Sequence, residues 1–322
     1  MNETVYKLLV PYKGILAADS TGGIKKRFEA VGLTFTPELD VKYKEMIFTT
    51  PSLEQFISGV ILNDTNIRQR VFNNNGIVMG IKVDEGLEPF NNTEEQITKG
   101  FDSLSKRLDE YKLLGAEFTK WRAVIKISDI FPTDIFLDET LSKMAKYAKL
   151  VQSKDMIPIV EPEVLLDGNH TTTRCAEITE KTLKKLFELL LLEGVDLTKV
   201  ILKTNMVLPG KDSNVIAMPL EVAGATLRAL NASVPKEVPG IVFLSGGQSA
   251  DDATNNLNEI VKTKGDSPWD ISFSFERALQ VEVMKEWAGK DLPAQAGENI
   301  PRAHEAFLER LTKVSKARMG EL

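Results

Sequence analysis

The sequence predicts an α/β fold, a (β/α)8 TIM barrel with extra segments at both ends. Three observations carry that prediction. Eight short apolar runs recur along the 322 residues, at 14–18, 59–62, 76–82, 121–127, 156–160, 199–202, 240–244 and 271–273. They are often β-branched and mostly bounded by Gly or Pro, as expected of parallel strands buried on both faces. Helix-patterned segments lie between the runs. In 94–114, for example, Ile97, Phe101, Leu104, Leu108, Tyr111 and Leu114 fall at near-helical spacing. The runs also tend to end on polar or charged residues, and the C-terminal strand ends are where a barrel carries its chemistry.

Helices are likewise expected over 140–153, 179–193, 220–230 and 250–261. Eight strands alternating with helices fit a closed barrel. An open doubly wound sheet is the alternative, weakened by the lack of Gly-x-Gly-x-x-Gly after the first run. The chain exceeds a typical barrel of about 250 residues. The surplus is assigned to an N-terminal arm and to helices after the eighth strand, at 279–287 and 303–316. The whole of 1–322 is read as one catalytic domain.

Composition narrows the function. Hydrophobic residues at 43% and charged residues at 27% describe a soluble globular chain with an extensive core. A net charge of -6 argues against a basic face for nucleic acid, though not against a local basic pocket. The first eleven residues contain Glu3 and Lys7 and no apolar core, so no signal peptide is expected, and no run approaches membrane-spanning length. Cys175 stands alone, which excludes an internal disulfide and fits a reducing, cytoplasmic setting. One cysteine and two well-separated histidines, His170 and His304, argue against a zinc cluster. No metal and no cofactor are expected.

The most informative residue is Lys203, at the end of the sixth apolar run. A lysine in such a place either snorkels into solvent or loses hydration, so that its pKa falls and a neutral amine can attack a carbonyl. The other strand ends supply company for it. Asp19 precedes Ser20-Thr21-Gly22-Gly23, a sequence that also suits an ordinary turn and helix cap. Lys82 and Asp84 end the third run, and Lys120, Arg122 and Lys126 share one parity on the fourth. Glu161 and Glu163, two apart, share a strand face, and two carboxylates facing a barrel interior need cationic partners. Ser245-Gly246-Gly247 and Ser274 with Arg277 follow the seventh and eighth runs, where barrels often bind phosphate through backbone N–H groups. Together these residues describe a lysine-dependent aldol enzyme acting on a sugar phosphate.

Several stretches resemble class I fructose-bisphosphate aldolase of the animal and plant type. They are Gly14-Ile15-Leu16-Ala17-Ala18-Asp19, Gly80-Ile81-Lys82-Val83-Asp84 and the segment from Lys120 to Ile127. Ile159-Val160-Glu161-Pro162-Glu163, Leu202-Lys203-Thr204-Asn205-Met206-Val207, the segment from Phe243 to Ser249 and that from Phe273 to Gln280 complete the set. The likeness runs from about residue 6 to 318, with the family's spacing between Glu161, Lys203 and Ser245. It implies that Lys203 forms a Schiff base with the ketose carbonyl and that Glu161 is the general acid–base. Glu163 and Lys120 would position it and stabilise charge, and Asp19 would take the C4 hydroxyl proton. Ser245, Gly246, Gly247, Ser274 and Arg277 are implied at the C1 phosphate, and Ser20, Arg27 and Lys82 near the C6 phosphate. Pattern alone favours Lys126 as the pocket lysine of the fourth run, whereas the resemblance points to Lys120 and Arg122. A homo-oligomer, by family habit a tetramer, is implied as well.

The sequence departs from the family in places. An acidic residue after Asp19 is missing, Gly23 replaces a serine, Thr204 a proline and Glu276 a glycine in the phosphate turn. The loop after Asp84 is shortened, and the ending Ala317 to Leu322 lacks the family's C-terminal tyrosine, so another proton carrier or a slower step is expected. These departures keep other ketose phosphates open as substrates, including sedoheptulose 1,7-bisphosphate and a monophosphate. A transaldolase-like activity and a non-catalytic scaffold are the remaining alternatives.

Overall fold

Each of the eight apolar runs lies on a strand, and the strands close on themselves. The computed structural model describes residues 2–20, 22–73, 75–288 and 299–322. The strands are β1 (Gly14–Ala17), β2 (Ile57–Leu62), β3 (Val78–Lys82), β4 (Leu87–Pro89), β5 (Gln96–Thr98), β6 (Phe118–Ile125), β7 (Ile157–Val164), β8 (Ile201–Thr204), β9 (Gly240–Phe243) and β10 (Asp270–Phe275). The barrel order is β1-β2-β3-β6-β7-β8-β9-β10, returning to β1, and every barrel pair is parallel. β4 and β5 form a separate antiparallel pair. The helices are α1 (Glu3–Leu8), α2 (Gly22–Ala30), α3 (Pro37–Phe48), α4 (Asp64–Arg68), α5 (Leu104–Leu113), α6 (Asp134–Ser153), α7 (Thr172–Leu192), α8 (Pro219–Ser233), α9 (Ala250–Thr263), α10 (Arg277–Ala288) and α11 (Ile300–Met319).

Alternation along the strands sorts side chains into two cores. One lies between strands and helices, where Trp121 of β6 stacks on Tyr147 of α6 with ring centroids 5.4 Å apart. The other fills the N-terminal half of the barrel: Ile15, Ala17, Ile61, Val78, Phe118, Ile157, Ile159, Ile201 and Val242. Val5, Leu8 and Leu9, from α1 and its C-cap, belong to this inner cluster, so the N-terminal arm plugs the barrel floor. Arg318 of α11 ties the plug in place. Its guanidinium donates to Ser272 Oγ at 2.7 Å and to the Leu9 carbonyl at 2.8 Å. Burial draws its pKa down to about 10, against the pull of Asp270.

The floor has room for a large ring because its neighbours are glycines. A Cβ on Gly80 would stand 2.3 Å from the Phe118 ring, and one on Gly59 3.3 Å from it. A Cβ on Gly240 would stand 2.5 Å from Leu9.

The structure corrects the predicted elements in three places. The helix expected over 94–114 begins only at Leu104. Its first part pairs as β5 with β4, Thr98 Oγ1 donates to the Arg122 carbonyl at 2.7 Å, and Gly100 turns the chain at φ +102°. Helical spacing of apolar residues there was overridden by this tertiary pairing. The fourth barrel strand starts at Phe118 and ends at Ile125, so Lys126 lies past it. The fifth extends to Val164 and holds both Glu161 and Glu163 within it.

Gly80→Ala is expected to destabilise the protein by roughly 1–3 kcal/mol through overpacking against Phe118. Adding Phe118→Leu should recover part of that loss, a non-additivity measurable from denaturant midpoints. Additive costs would mean that the two positions do not share the space.

Candidate active site

Above the apolar floor the same interior rows continue as ionisable residues. Ile15 and Ala17 lead to Asp19, Val78 and Gly80 to Lys82 and Asp84, and Phe118 to Lys120 and Arg122. Ile157 and Ile159 lead to Glu161 and Glu163, and Ile201 to Lys203. Register sets Lys82 beside Lys120 and Arg122 beside Glu161. Asp19, Asp84, Lys120, Glu161, Glu163 and Lys203 are all buried.

Opposite charges alternate through this layer. Glu161 Oε1 lies 3.0 Å from Lys203 Nζ, and its Oε2 lies 3.0 Å from Lys120 Nζ. Lys120 reaches on to Asp19 Oδ2 at 2.8 Å and to Asp84 Oδ2 at 3.9 Å. Lys82 pairs with Asp84 Oδ1 at 2.7 Å, and Arg122 with Glu163 at 2.5 Å. The acids Asp19, Asp84, Glu161 and Glu163 are thus matched by the cations Lys82, Lys120, Arg122 and Lys203. Such matching is what allows charges to persist in a low-dielectric interior.

The balance shifts protonation in a consistent direction. Burial works against the charged form of Glu161, but Lys120, then Lys203 and Arg122, outweigh it and hold the carboxyl below its ordinary range. Asp19 behaves alike: burial is outweighed by Lys120, Lys203 and Lys82, leaving it well below the usual carboxylate range. Burial also opposes charge on Lys120, and there Asp19, Glu161 and Asp84 overcome it and keep the ammonium well above the lysine range. An amine 3.0 Å from a carboxylate, backed by a second ammonium and a second carboxylate, is suited to carbonyl attack with local proton transfer. Among the described residues no group of His, Cys, Asp and Glu side chains is arranged to hold a metal ion.

The turns after β9 and β10 form the neighbouring end of the site. Ser245 Oγ accepts from the Ala278 backbone N–H at 3.4 Å, which joins the two turns. A Cβ on Gly246 would stand 2.8 Å from Glu163 Oε1 and 3.7 Å from Arg277 Nη2, so the glycine leaves a gap between these side chains. Gly247 adopts φ +77°, where a side chain would be strained. Ser274 Oγ is buried and has no hydrogen-bond partner among the described residues.

Two expected residues take unexpected places. Lys126 pairs with the exposed Glu94 outside the barrel, because its strand ends one residue earlier. Arg27 of α2 is bonded to Glu276, across 249 residues of sequence. Near Asp19, a Cβ on Gly23 would lie 2.6 Å from Ser20 Oγ. Ser20 therefore occupies the space a larger residue at 23 would need. Thr21, between them, lies outside the described residues.

The sequence marks Asp84 at the end of the third run without assigning it a role, and it gives Asn205 none. Asp84 shares parity with Lys82, which was the available signal. Asn205 Oδ1 accepts from the Val164 N–H at 3.1 Å, and its amide donates to Thr179 Oγ1 at 3.2 Å. It ties β7, α7 and the end of β8 together just beyond Lys203, and nothing in the local pattern marks that role.

A family model described as fructose-bisphosphate aldolase class-I matches residues 1–322. The chain is 42% identical over 321 residues to Arabidopsis thaliana fructose-bisphosphate aldolase 4, cytosolic, covering 96% of this chain and 80% of that one. It is 41% identical over 330 residues to a probable fructose-bisphosphate aldolase class 1 of Xanthomonas campestris, covering 99% and 97%. Among solved structures, Plasmodium falciparum fructose-bisphosphate aldolase, in complex with TRAP and a small-molecule inhibitor, superposes with a TM-score of 0.93. That match is 40% identical and covers 99% of this chain and 93% of that one. With a closed barrel, a lysine-carboxylate interior and likeness over its whole length, the chain belongs to the class I fructose-bisphosphate aldolase family.

Proposed function

We propose that this protein catalyses the metal-independent, reversible cleavage of fructose 1,6-bisphosphate to dihydroxyacetone phosphate and glyceraldehyde 3-phosphate through an imine on Lys203. The observation that carries this reading is the Glu161 carboxylate held 3.0 Å from both Lys203 and Lys120. Glu161 accepts a proton from the Lys203 ammonium, and the freed amine adds to the C2 carbonyl. The same acid then protonates the carbinolamine hydroxyl, which leaves as water. Asp19 takes the C4 hydroxyl proton. The C3–C4 electron pair flows into the protonated imine, the aldehyde departs, and an enamine remains. Protonation at C3 and hydrolysis release the ketose product and regenerate Lys203.

Lys120 stays an ammonium throughout, its charge supporting Asp19 and Glu161. Glu163, paired with Arg122, flanks the pocket. Ser245, Gly246, Gly247, Ser274 and Arg277 would hold the C1 phosphate, with Ser20, Arg27 and Lys82 toward the C6 phosphate. Holding both substrate ends orients the scissile bond. The whole chain is read as one catalytic unit with no cofactor. The Arabidopsis relative's name, cytosolic, supports a cytoplasmic setting, and a homo-oligomer, a tetramer by family habit, belongs to the same reading.

Borohydride with fructose 1,6-bisphosphate in EDTA should leave a stable adduct on Lys203, located by peptide mass mapping, and Lys203→Met should abolish it. An adduct on another lysine, or none with folded protein, would sink the imine reading.

Lys120→Met should lower kcat by about 100-fold or more. Removing its charge destabilises the ionised carboxylates, so their pKa values rise. The acid limb of the kcat/KM profile should therefore move to higher pH, by about one unit or more. Lys126→Ala should change kcat/KM by less than about twofold. Equal losses from the two variants would contradict the assignment of the pocket lysine.

A further inference from the structure

The contact between Arg27 and Glu276 neutralises one of the cations available to an anionic ligand. Arg27 Nη2 donates to Glu276 Oε1 at 2.5 Å, with the side chains only 12% and 22% exposed. Glu276 stands between Ser274 and Arg277, so its carboxylate sits in the turn whose neighbours are the phosphate candidates. The remaining guanidinium groups Nε and Nη1 are buried with no hydrogen-bond partner among the described residues. On α3, one helical turn apart, Asp40 Oδ1 and Lys44 Nζ are buried and unpartnered as well. These four side chains, Arg27, Lys44, Glu276 and Asp40, balance in formal charge, and they leave hydrogen-bonding capacity unused, which in a buried place is costly unless something fills it.

These two properties favour different ligands. A phosphate needs net positive charge and must displace Glu276 or share Arg27 with it. A sugar hydroxyl needs no net charge: it donates to the carboxylate and accepts from a free guanidinium N–H.

We infer that Glu276 is a specificity-determining residue whose carboxylate competes with a substrate phosphate for Arg27, so that a ketose 1-phosphate with a free hydroxyl at the Arg27 end is used nearly as well as the bisphosphate. This inference rests on the imine reading of the site. It assigns to Glu276 a discrimination between substrates and no part in the chemistry.

The test is kcat/KM for fructose 1,6-bisphosphate and fructose 1-phosphate in the wild-type protein and in Glu276→Gln, which keeps size and shape but frees Arg27 of the opposing charge. The bisphosphate-to-monophosphate ratio should rise by about tenfold, mainly through a lower KM for the bisphosphate. A ratio that stays within about twofold of wild type, or falls, overturns the inference. Glu276→Gly, made in parallel, gives the same reading if the glutamine variant does not fold. Borohydride trapping separates the two failures. Lys203 adducts with an unchanged ratio overturn the inference alone, whereas no Lys203 adduct with either substrate in the wild-type protein overturns the imine reading and this inference with it.

Discussion

The Glu161 carboxylate, clamped between two lysine ammoniums, is the contact on which the rest of the interior depends. Burial opposes the charge on Glu161, and Lys120, then Lys203 and Arg122, outweigh it; on Lys120 the same opposition is overcome by Asp19, then Glu161 and Asp84. Neighbouring strands about 4.8 Å apart bring β6, β7 and β8 side chains within reach of one another. The barrel supplies that spacing twice in succession, so Lys120, Glu161 and Lys203 meet although they are far apart in sequence. A buried ion network of this kind is a poor way to stabilise a fold, because desolvation offsets most of the attraction. Its presence is better explained by chemistry that needs an amine, an acid and a fixed positive charge in one dry place.

The apolar floor makes that place possible. Phe118, the isoleucines above it and the α1 plug close the N-terminal mouth, so the charged layer meets solvent from one side only. Two ends of the chain cooperate here. Arg318, near the C-terminus, donates to the Leu9 carbonyl in the N-terminal arm and to Ser272 in the last barrel strand. The chain termini thus help to seal the side of the barrel opposite the site. Strand-borne side chains supported from below are held more rigidly than loop-borne ones, which suits groups that must stay within hydrogen-bonding reach of a reacting atom.

Two of the residues singled out as departures, Gly23 and Glu276, lie outside the barrel strands. Ser20 fills the space over Gly23 that a side chain there would need. The glutamate at 276 has its own compensation in Arg27. A carboxylate in a phosphate turn would repel its ligand if left alone. Here it is paired with Arg27, whose Nε and Nη1 are buried without a partner among the described residues.

The sequence alone determined the barrel and the ionisable residues at its strand ends. Continuous apolar runs are legible because a strand buried on both faces tolerates few polar residues, and strand parity puts Glu161 with Glu163, and Lys120 with Arg122, on common faces. Only the tertiary structure decided which charges meet. Lys120 and Lys126 have the same parity, and only the end of β6 at Ile125 separates a buried partner of Asp19 from a surface partner of Glu94. The apolar spacing that suggested a helix from 94 gave way to a short pairing of β4 with β5, because local propensity yields to a partner strand already in place. The Arg27–Glu276 bond spans nearly the whole chain and follows no periodicity. Periodicity reports which face a residue occupies, whereas contacts across the barrel depend on closure, which no local pattern encodes.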